Sequence, residues 1–211
     1  PEQIESEIKS VIELVDYIYK TFGFEYSIEL STRPEDSMGE DSLWELAENS
    51  LENVLRKLNF DYKLNEGDGA FYGPKIDFHI KDALKRSHQC ATIQLDFQLP
   101  EKFDLNYINE KNEKQRPVVI HRAIFGSLDR FFGILIEHFG GVFPTWLAPV
   151  QVKVIPVSLK VHQEYAQEIK EALGKKGIRV ELDNREQKLG YKIREAQVAK
   201  VPYILVLGDK E

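Results

Sequence analysis

One cysteine, Cys90, is the only thiol in this 211-residue chain. That excludes an internal disulfide framework and suits a reducing compartment. No apolar run approaches the roughly 20 residues needed to cross a bilayer. The opening PEQIESEIKS is acidic and amphipathic, without the character of a secretory signal. No repeat and no low-complexity tract is visible, and no HxxxH, CxxC or other short metal-ligand spacing occurs.

What is present is an ordinary globular composition, 42% hydrophobic and 30% charged, with room for one large domain or two small ones. A net charge of −7, evenly spread, would argue against nucleic acid as a partner. It is not evenly spread. Residues 151–211 hold 12 Lys+Arg against 9 Asp+Glu, a net of +3, which leaves 16 against 26, a net of −10, for the remainder. That asymmetry is compatible with a C-terminal module that touches phosphate.

The richest segment is VVIHRAIFGSLDRFFGILIEHFGG, residues 118–141. Val118, Val119 and Ile120 read as a buried strand ending at His121, and a Gly126-Ser127 step follows. Then Leu128, Phe131, Phe132, Leu135, Ile136 and Phe139 recur at helical spacing behind Ser127, a good N-cap. Arg130 thus projects from a helix's first turn, where backbone N–H groups and the macrodipole already favour an anion. Spacing leaves two readings level: a salt bridge to Asp129 or another acid, and a contact to a bound polyphosphate.

Elsewhere the pattern predicts an amphipathic helix over 3–21, with Ile4, Ile8, Val11, Val15, Ile18 and Tyr19 on one face, and a strand in FEYSIEL. A second helix is expected from about Ser42 to Asn59, with a Ser42/Glu45 capping box and a stripe of Leu43, Leu46, Ala47, Leu51, Val54 and Leu58. Two strands come next. In KIDFHI, Ile76, Phe78 and Ile80 face opposite to Lys75, Asp77 and His79. In CATIQLDFQL, Ala91, Ile93, Leu95, Phe97 and Leu99 form the apolar face, and Thr92, Gln94 and Asp96 line the other. Such a polar face is either solvated or the floor of a substrate pocket. Beyond FPTWLAP, strands alternate with helices, the last helix running from about Leu189 to Lys200, which implies parallel pairing through right-handed crossovers. The expected organisation is a domain over 1–147, α+β with an antiparallel sheet, and an α/β domain with a mainly parallel sheet over 148–211. The final strand runs out at GDKE, as if the second domain were cut short.

The stretch from Val118 through FPTWLAPVQV resembles motif 3 of class II aminoacyl-tRNA synthetases, the threonyl-tRNA synthetases in particular, and Arg130 occupies the place of the arginine that lies on the ATP phosphates. GAFYGPK and QCATIQLDF are similar to strings of the same family, with Ala91 replacing a common glycine. The resemblance implies that Tyr72 helps shape the amino-acid pocket and that Lys75 reaches the α-phosphate. It also implies that Gln89 and Thr92 lie near the adenosine and Gln94 near threonine. His121, read alone, is more often a hydrogen-bonded core residue. By resemblance it is one of three Zn2+ ligands, the others lying upstream of Pro1, and the metal would separate threonine from isosteric valine. Mg2+ with ATP, tRNA(Thr), a homodimer and a cytoplasmic location are implied as well.

LDNREQKLGYKIREAQVAKVPY is similar to the family's anticodon-reading segment. Lys188, Lys192 and, less squarely, Arg194 and Lys200 are expected on one side of its helix. Arg194, Glu186 (where an asparagine is usual) and Glu211 align with anticodon contacts. Motifs 1 and 2 and an editing domain are not among these residues. The implied activity is therefore that of a threonine–tRNA ligase, with this chain a fragment expected to be inactive by itself. Two alternatives remain: a non-catalytic synthetase-like binding module, and a prolyl, glycyl or histidyl class II enzyme.

Overall fold

The computed structural model describes residues 2–210, so Glu211 lies outside the described residues. They divide between Ile134 and Leu135 into two compact units. No helix among them is long and apolar enough to cross a membrane.

The first unit opens with α1 (Ile4–Phe22), β1 (Tyr26–Ser31), α2 (Asp41–Lys57) and β2 (Tyr62–Asn65). It continues with β3 (Lys75–Lys81), β4 (Ser87–Asp96), the short α3 (Gln98–Lys102) and the two-residue strands β5 (Tyr107–Ile108) and β6 (Lys114–Gln115). Then come β7 (Val119–Ala123) and α4 (Leu128–Phe139), which spans the division. Five strands form one sheet in the order β2-β1-β3-β4-β7, antiparallel except for β1–β2. The β1–β2 connection runs through α2, as a parallel pair requires.

Period-two alternation places Ile28 and Leu30 of β1, Ile76, Phe78 and Ile80 of β3, and Ala91 and Ile93 of β4 in the core, none more than 3% exposed. α1 packs against α2 and β4. It buries Ile4, Ile8, Val11, Ile12, Val15 and Tyr19, while Ile18 is only half-buried. Each such aliphatic burial stabilises the fold by about 1.5–3 kcal/mol.

Several local expectations need correction. α2 begins at Asp41 behind Glu40, so Ser42 lies inside the helix and its capping box with Glu45 does not form. Its buried stripe is Trp44, Ala47, Leu51, Val54 and Leu55, and Leu46 is exposed. Ala47, Leu51 and Val54 keep their expected places, while Trp44, its Nε1 donating to the Met38 carbonyl at 2.8 Å, and Leu55 replace Leu43, Leu46 and Leu58 in the stripe. β4 stops at Asp96 instead of continuing through Leu99. One oxygen of Asp96 accepts from the Gln98 and Leu99 N–H groups at 2.8 and 3.0 Å, turning the chain into α3. On α4, Phe131, Ile134 and Leu135 are buried, whereas Leu128, Phe132 and Ile136 are exposed. β7 is an edge strand that runs on past His121 to Ala123 and is half-buried where a buried strand was expected.

The second unit contains β8 (Val152–Pro156), α5 (Leu159–Lys175), β9 (Val180–Leu182), α6 (Leu189–Val198) and β10 (Tyr203–Leu207). The strands pair in the order β10-β8-β9, all parallel, as the alternation implied. Val152, Val154, Ala166 and Leu207 centre its core, with Ile169, Leu173 and Leu182 packed around them.

The β3–β4 turn is held by Asp82, whose carboxylate accepts from Leu84 N, Arg86 N and Arg86 Nε and meets His88 Nε2 at 2.9 Å. Burial by itself would raise its pKa, but these partners outweigh burial and hold the carboxyl below the ordinary range. A depressed folded-state pKa means stability present above the unfolded value and lost as pH falls. Urea unfolding of the 211-residue chain should therefore show stability falling between about pH 5 and pH 3, with Asp82→Asn less stable at neutral pH and flatter over that window. An equally steep curve in the variant would remove Asp82 as the source.

Candidate active site

Strand register converts alternation into a surface. On the face opposite the core, Ser31, Lys75, Gln94 and His121 are successive partners across β1, β3, β4 and β7. The neighbouring row is Glu29, Asp77, Thr92 and Ala123. Residues far apart in sequence thus stand side by side because antiparallel pairing fixes which positions oppose each other.

Asp77 is the centre of the first cluster and is 2% exposed. Its Oδ1 accepts from Gln89 Nε2 at 2.5 Å and Thr92 Oγ1 at 2.8 Å. Its Oδ2 meets Lys75 Nζ at 2.9 Å and accepts from Ser31 Oγ at 3.3 Å. Gln89 and Thr92 share a face although three positions separate them, which strict alternation forbids. The β3–β4 register shifts between Phe78 and His79, pairing Phe78 with Ala91 and His79 with Gln89, so Cys90 is an extra residue in the ladder. Lys75 also reaches Asp68 Oδ2 at 3.1 Å. Burial by itself would lower the Lys75 pKa; Asp77 and then Asp68 more than offset it and hold the ammonium above its ordinary value.

Arg130 approaches this cluster from α4. Its Nη2 donates to the Gln89 carbonyl at 2.8 Å, and its guanidinium is exposed. The salt-bridge reading with Asp129 finds no support in this geometry. Ser127 stands at the N-cap position, with Oγ accepting from Arg130 N at a long 3.5 Å. Gly126 makes the approach possible: its φ is +64°, and a Cβ there would come within 3.0 Å of the Cys90 carbonyl and 3.2 Å of Arg130 Nη2. Burial raises the Cys90 thiol pKa, against the pull of Arg130.

The second cluster contains Tyr72, Gln94 and His121. Tyr72 Oη donates to Gln94 Oε1 at 2.6 Å, and the Tyr72 and His121 rings lie edge to face at 5.7 Å. His121 Nε2 meets Asp96 Oδ2 at 2.8 Å, and Asp96 is fully buried. The Tyr72 loop is pressed against β4, where a Cβ on Gly73 would fall 2.0 Å from the Leu95 carbonyl. The Asp96–His121 pair was not anticipated, although alternation had already set Asp96 on the polar face. Among the described residues no three His, Cys, Asp or Glu groups come together as a metal set.

The anticodon candidates lie in the second unit. Arg194 and Lys200 are exposed and line a cavity of about 700 Å³ with Arg185, Tyr191 and Glu195. Glu186 is exposed on the β9–α6 loop. Lys192 is a correction: it is 3% exposed and donates to the Asp183 carbonyl at 3.1 Å, so it does not share the solvent side of α6 with Lys188. A helical wheel shows only that Lys192 lies between apolar positions. The acceptor that makes burial tolerable comes from another element.

Comparison with known proteins agrees with both halves of this architecture. Residues 1–139 match the tRNA synthetase class II core domain (G, H, P, S and T), and residues 151–211 match an anticodon binding domain. The chain is 71% identical over 210 residues to threonine–tRNA ligase 2 of Bacillus subtilis and 63% identical over 211 residues to threonine–tRNA ligase of Caldanaerobacter subterraneus. Each alignment covers all of this chain and 33% of the relative, so the chain spans about a third of the length of the curated relatives it matches. The crystal structure of the RNA binding domain of threonyl-tRNA synthetase from Cryptosporidium parvum superimposes with a TM-score of 0.92 at 45% identity, covering 100% of this chain and 53% of that one. The chain belongs to the class II tRNA synthetase core family and carries an anticodon binding domain after the core.

Proposed function

We propose that these residues are the C-terminal part of the catalytic domain (1–147) and the anticodon-binding domain (148–211) of a threonine–tRNA ligase. In the intact protein the threonine carboxylate attacks the α-phosphate of ATP, giving threonyl-adenylate and pyrophosphate, and the acyl group then passes to the terminal ribose of tRNA(Thr). The observation that carries this reading is the convergence of Gln89, Thr92 and Lys75 on the buried carboxylate of Asp77, with Arg130 held beside them on the Gln89 carbonyl.

In this reading Gln89 and Thr92 seat the nucleoside, and Arg130 and Lys75 take its phosphates from two sides. Catalysis is then positioning and electrostatic stabilisation with no covalent nucleophile. Lys75 does not need to lose Asp77 to reach a phosphate. Its outer partner, Asp68, is more than half exposed and is the one an incoming phosphate displaces. ATP would arrive with Mg2+.

The second cluster serves threonine, with Tyr72 and Gln94 as its contacts. His121 suits a zinc ligand in one respect: the Asp96 carboxylate holds one ring nitrogen, as partner carboxylates do in metal sites, and leaves the other without a hydrogen bond among the described residues. Zn2+ with an open coordination position would hold threonine by its amino and hydroxyl groups. Arg194, Lys200, Glu186 and Glu211 are the proposed anticodon contacts. A homodimer in the cytoplasm completes the reading.

Three outcomes test it. The 211 residues by themselves should give no threonine-dependent pyrophosphate exchange, and robust exchange would contradict the fragment reading. In the intact enzyme, Arg130→Ala should slow adenylate formation by about 10²–10³-fold with tRNA binding nearly unchanged, because the arginine acts on transition-state charge. Comparable losses in both would make it structural. NMR titration of Lys75 in Asp77→Asn should show its pKa below that of the parent, and an unchanged value would mean Asp77 does not hold the ammonium.

A further inference from the structure

The loop from the end of β9 to the start of α6, Asp183-Asn184-Arg185-Glu186-Gln187-Lys188, contains no apolar side chain, and Asn184 through Lys188 are exposed. Burial cannot order it. Polar contacts to α6 do. Asp183, 2% exposed, accepts from Arg185 Nε at 2.9 Å and Nη2 at 2.6 Å and from the Arg185 backbone N–H at 3.2 Å. Arg185 Nη2 also meets Glu195 Oε2 at 2.6 Å, and Glu195 Oε1 accepts from Tyr191 Oη at 2.8 Å. Beneath them the Lys192 ammonium, buried on α6, donates to the Asp183 carbonyl. The connections run from α6 to the loop and back to α6, fastening both ends of the Asp183–Arg185 turn.

A buried ammonium is costly unless it is paired, and Lys192 faces a carbonyl beside a buried carboxylate. Arg185 holds the Asp183 carboxyl below its ordinary pKa despite burial, with Lys192 adding to the effect. Arg194 and Lys200 differ: their side chains make no hydrogen bond or ion pair among the described residues and remain available to phosphate.

We infer that Lys192 and Asp183, through Arg185, are positioning residues that preset the 184–188 loop, and Glu186 with it, for reading a base of single-stranded RNA, while Arg194 and Lys200 supply the phosphate contacts. This rests on the anticodon-binding reading of the second unit. Lys192 contributes order and base selectivity, not charge toward the backbone.

The experiment measures binding of the 211-residue chain to the anticodon stem–loop of a threonine-accepting tRNA and to the same RNA with one anticodon base changed, across a range of salt. The parent should discriminate by roughly tenfold to a hundredfold, the usual scale for one altered base. Lys192→Met should bring that ratio close to one without changing the salt slope, and Lys192→Arg should restore part of it. Arg194→Ala should do the reverse, keeping discrimination while its salt slope falls by about 0.7. If Lys192→Met does not fold by circular dichroism, Arg185→Met, at an exposed position, must show the same loss of discrimination. Discrimination retained in the folded variant, or a salt slope reduced as in Arg194→Ala, overturns the inference. A parent that binds both RNAs equally overturns the anticodon reading and this inference with it.

Discussion

A carboxylate with almost no solvent contact, Asp77, sets the chemistry of the polar sheet face. An ionised group in that position must be met by donors, and the sheet supplies them from β1, β3 and β4: Ser31, Lys75, Gln89 and Thr92. Because those donors are fixed by Asp77, their outward-facing atoms are fixed as well. Arg130 is tied to the same group through the Gln89 carbonyl. The nucleotide site proposed for this face would gain from the arrangement, because its donors would need little reorganisation when the ligand arrives.

The same device recurs. Asp96 caps α3 with one oxygen and fixes His121 with the other. Asp82 closes the β3–β4 turn, and Asp183 anchors the β9–α6 loop. Each is nearly inaccessible to solvent, and among the described residues no buried side-chain nitrogen or oxygen lacks a partner. At Asp82 and Asp183 a short, charged segment that hydrophobic burial does not order is held by one aspartate. The apolar face of the sheet gives stability, and the aspartates give definition.

Much of this was legible in the chain. Alternation in residues 75–80 and 91–96 gave the residues that face the core and placed Thr92, Gln94 and Asp96 together, because a two-residue period follows from strand geometry alone; that Asp77, Gln94 and Asp96 are buried as well does not follow from it. Register was not legible. That Lys75 opposes Gln94, which in turn opposes His121, depends on pairing between strands, and the extra residue at Cys90 breaks the period that would have predicted Gln89. The α2 start was missed because Ser42 and Glu45 carry the right chemistry two residues past the N-cap position, which Glu40 occupies. Lys192 was misread because a lysine's partner lies on another element. Alternation within a strand could be read, and pairing between elements could not.

The most direct test of the account is the crystal structure of the intact enzyme with a non-hydrolysable threonyl-adenylate analogue. The account predicts adenosine against Gln89 and Thr92, the phosphate between Lys75 and Arg130, and Lys75 parted from Asp68 but still on Asp77. An analogue bound away from this sheet face, or one bound while Lys75 and Arg130 keep all their present partners, would contradict it.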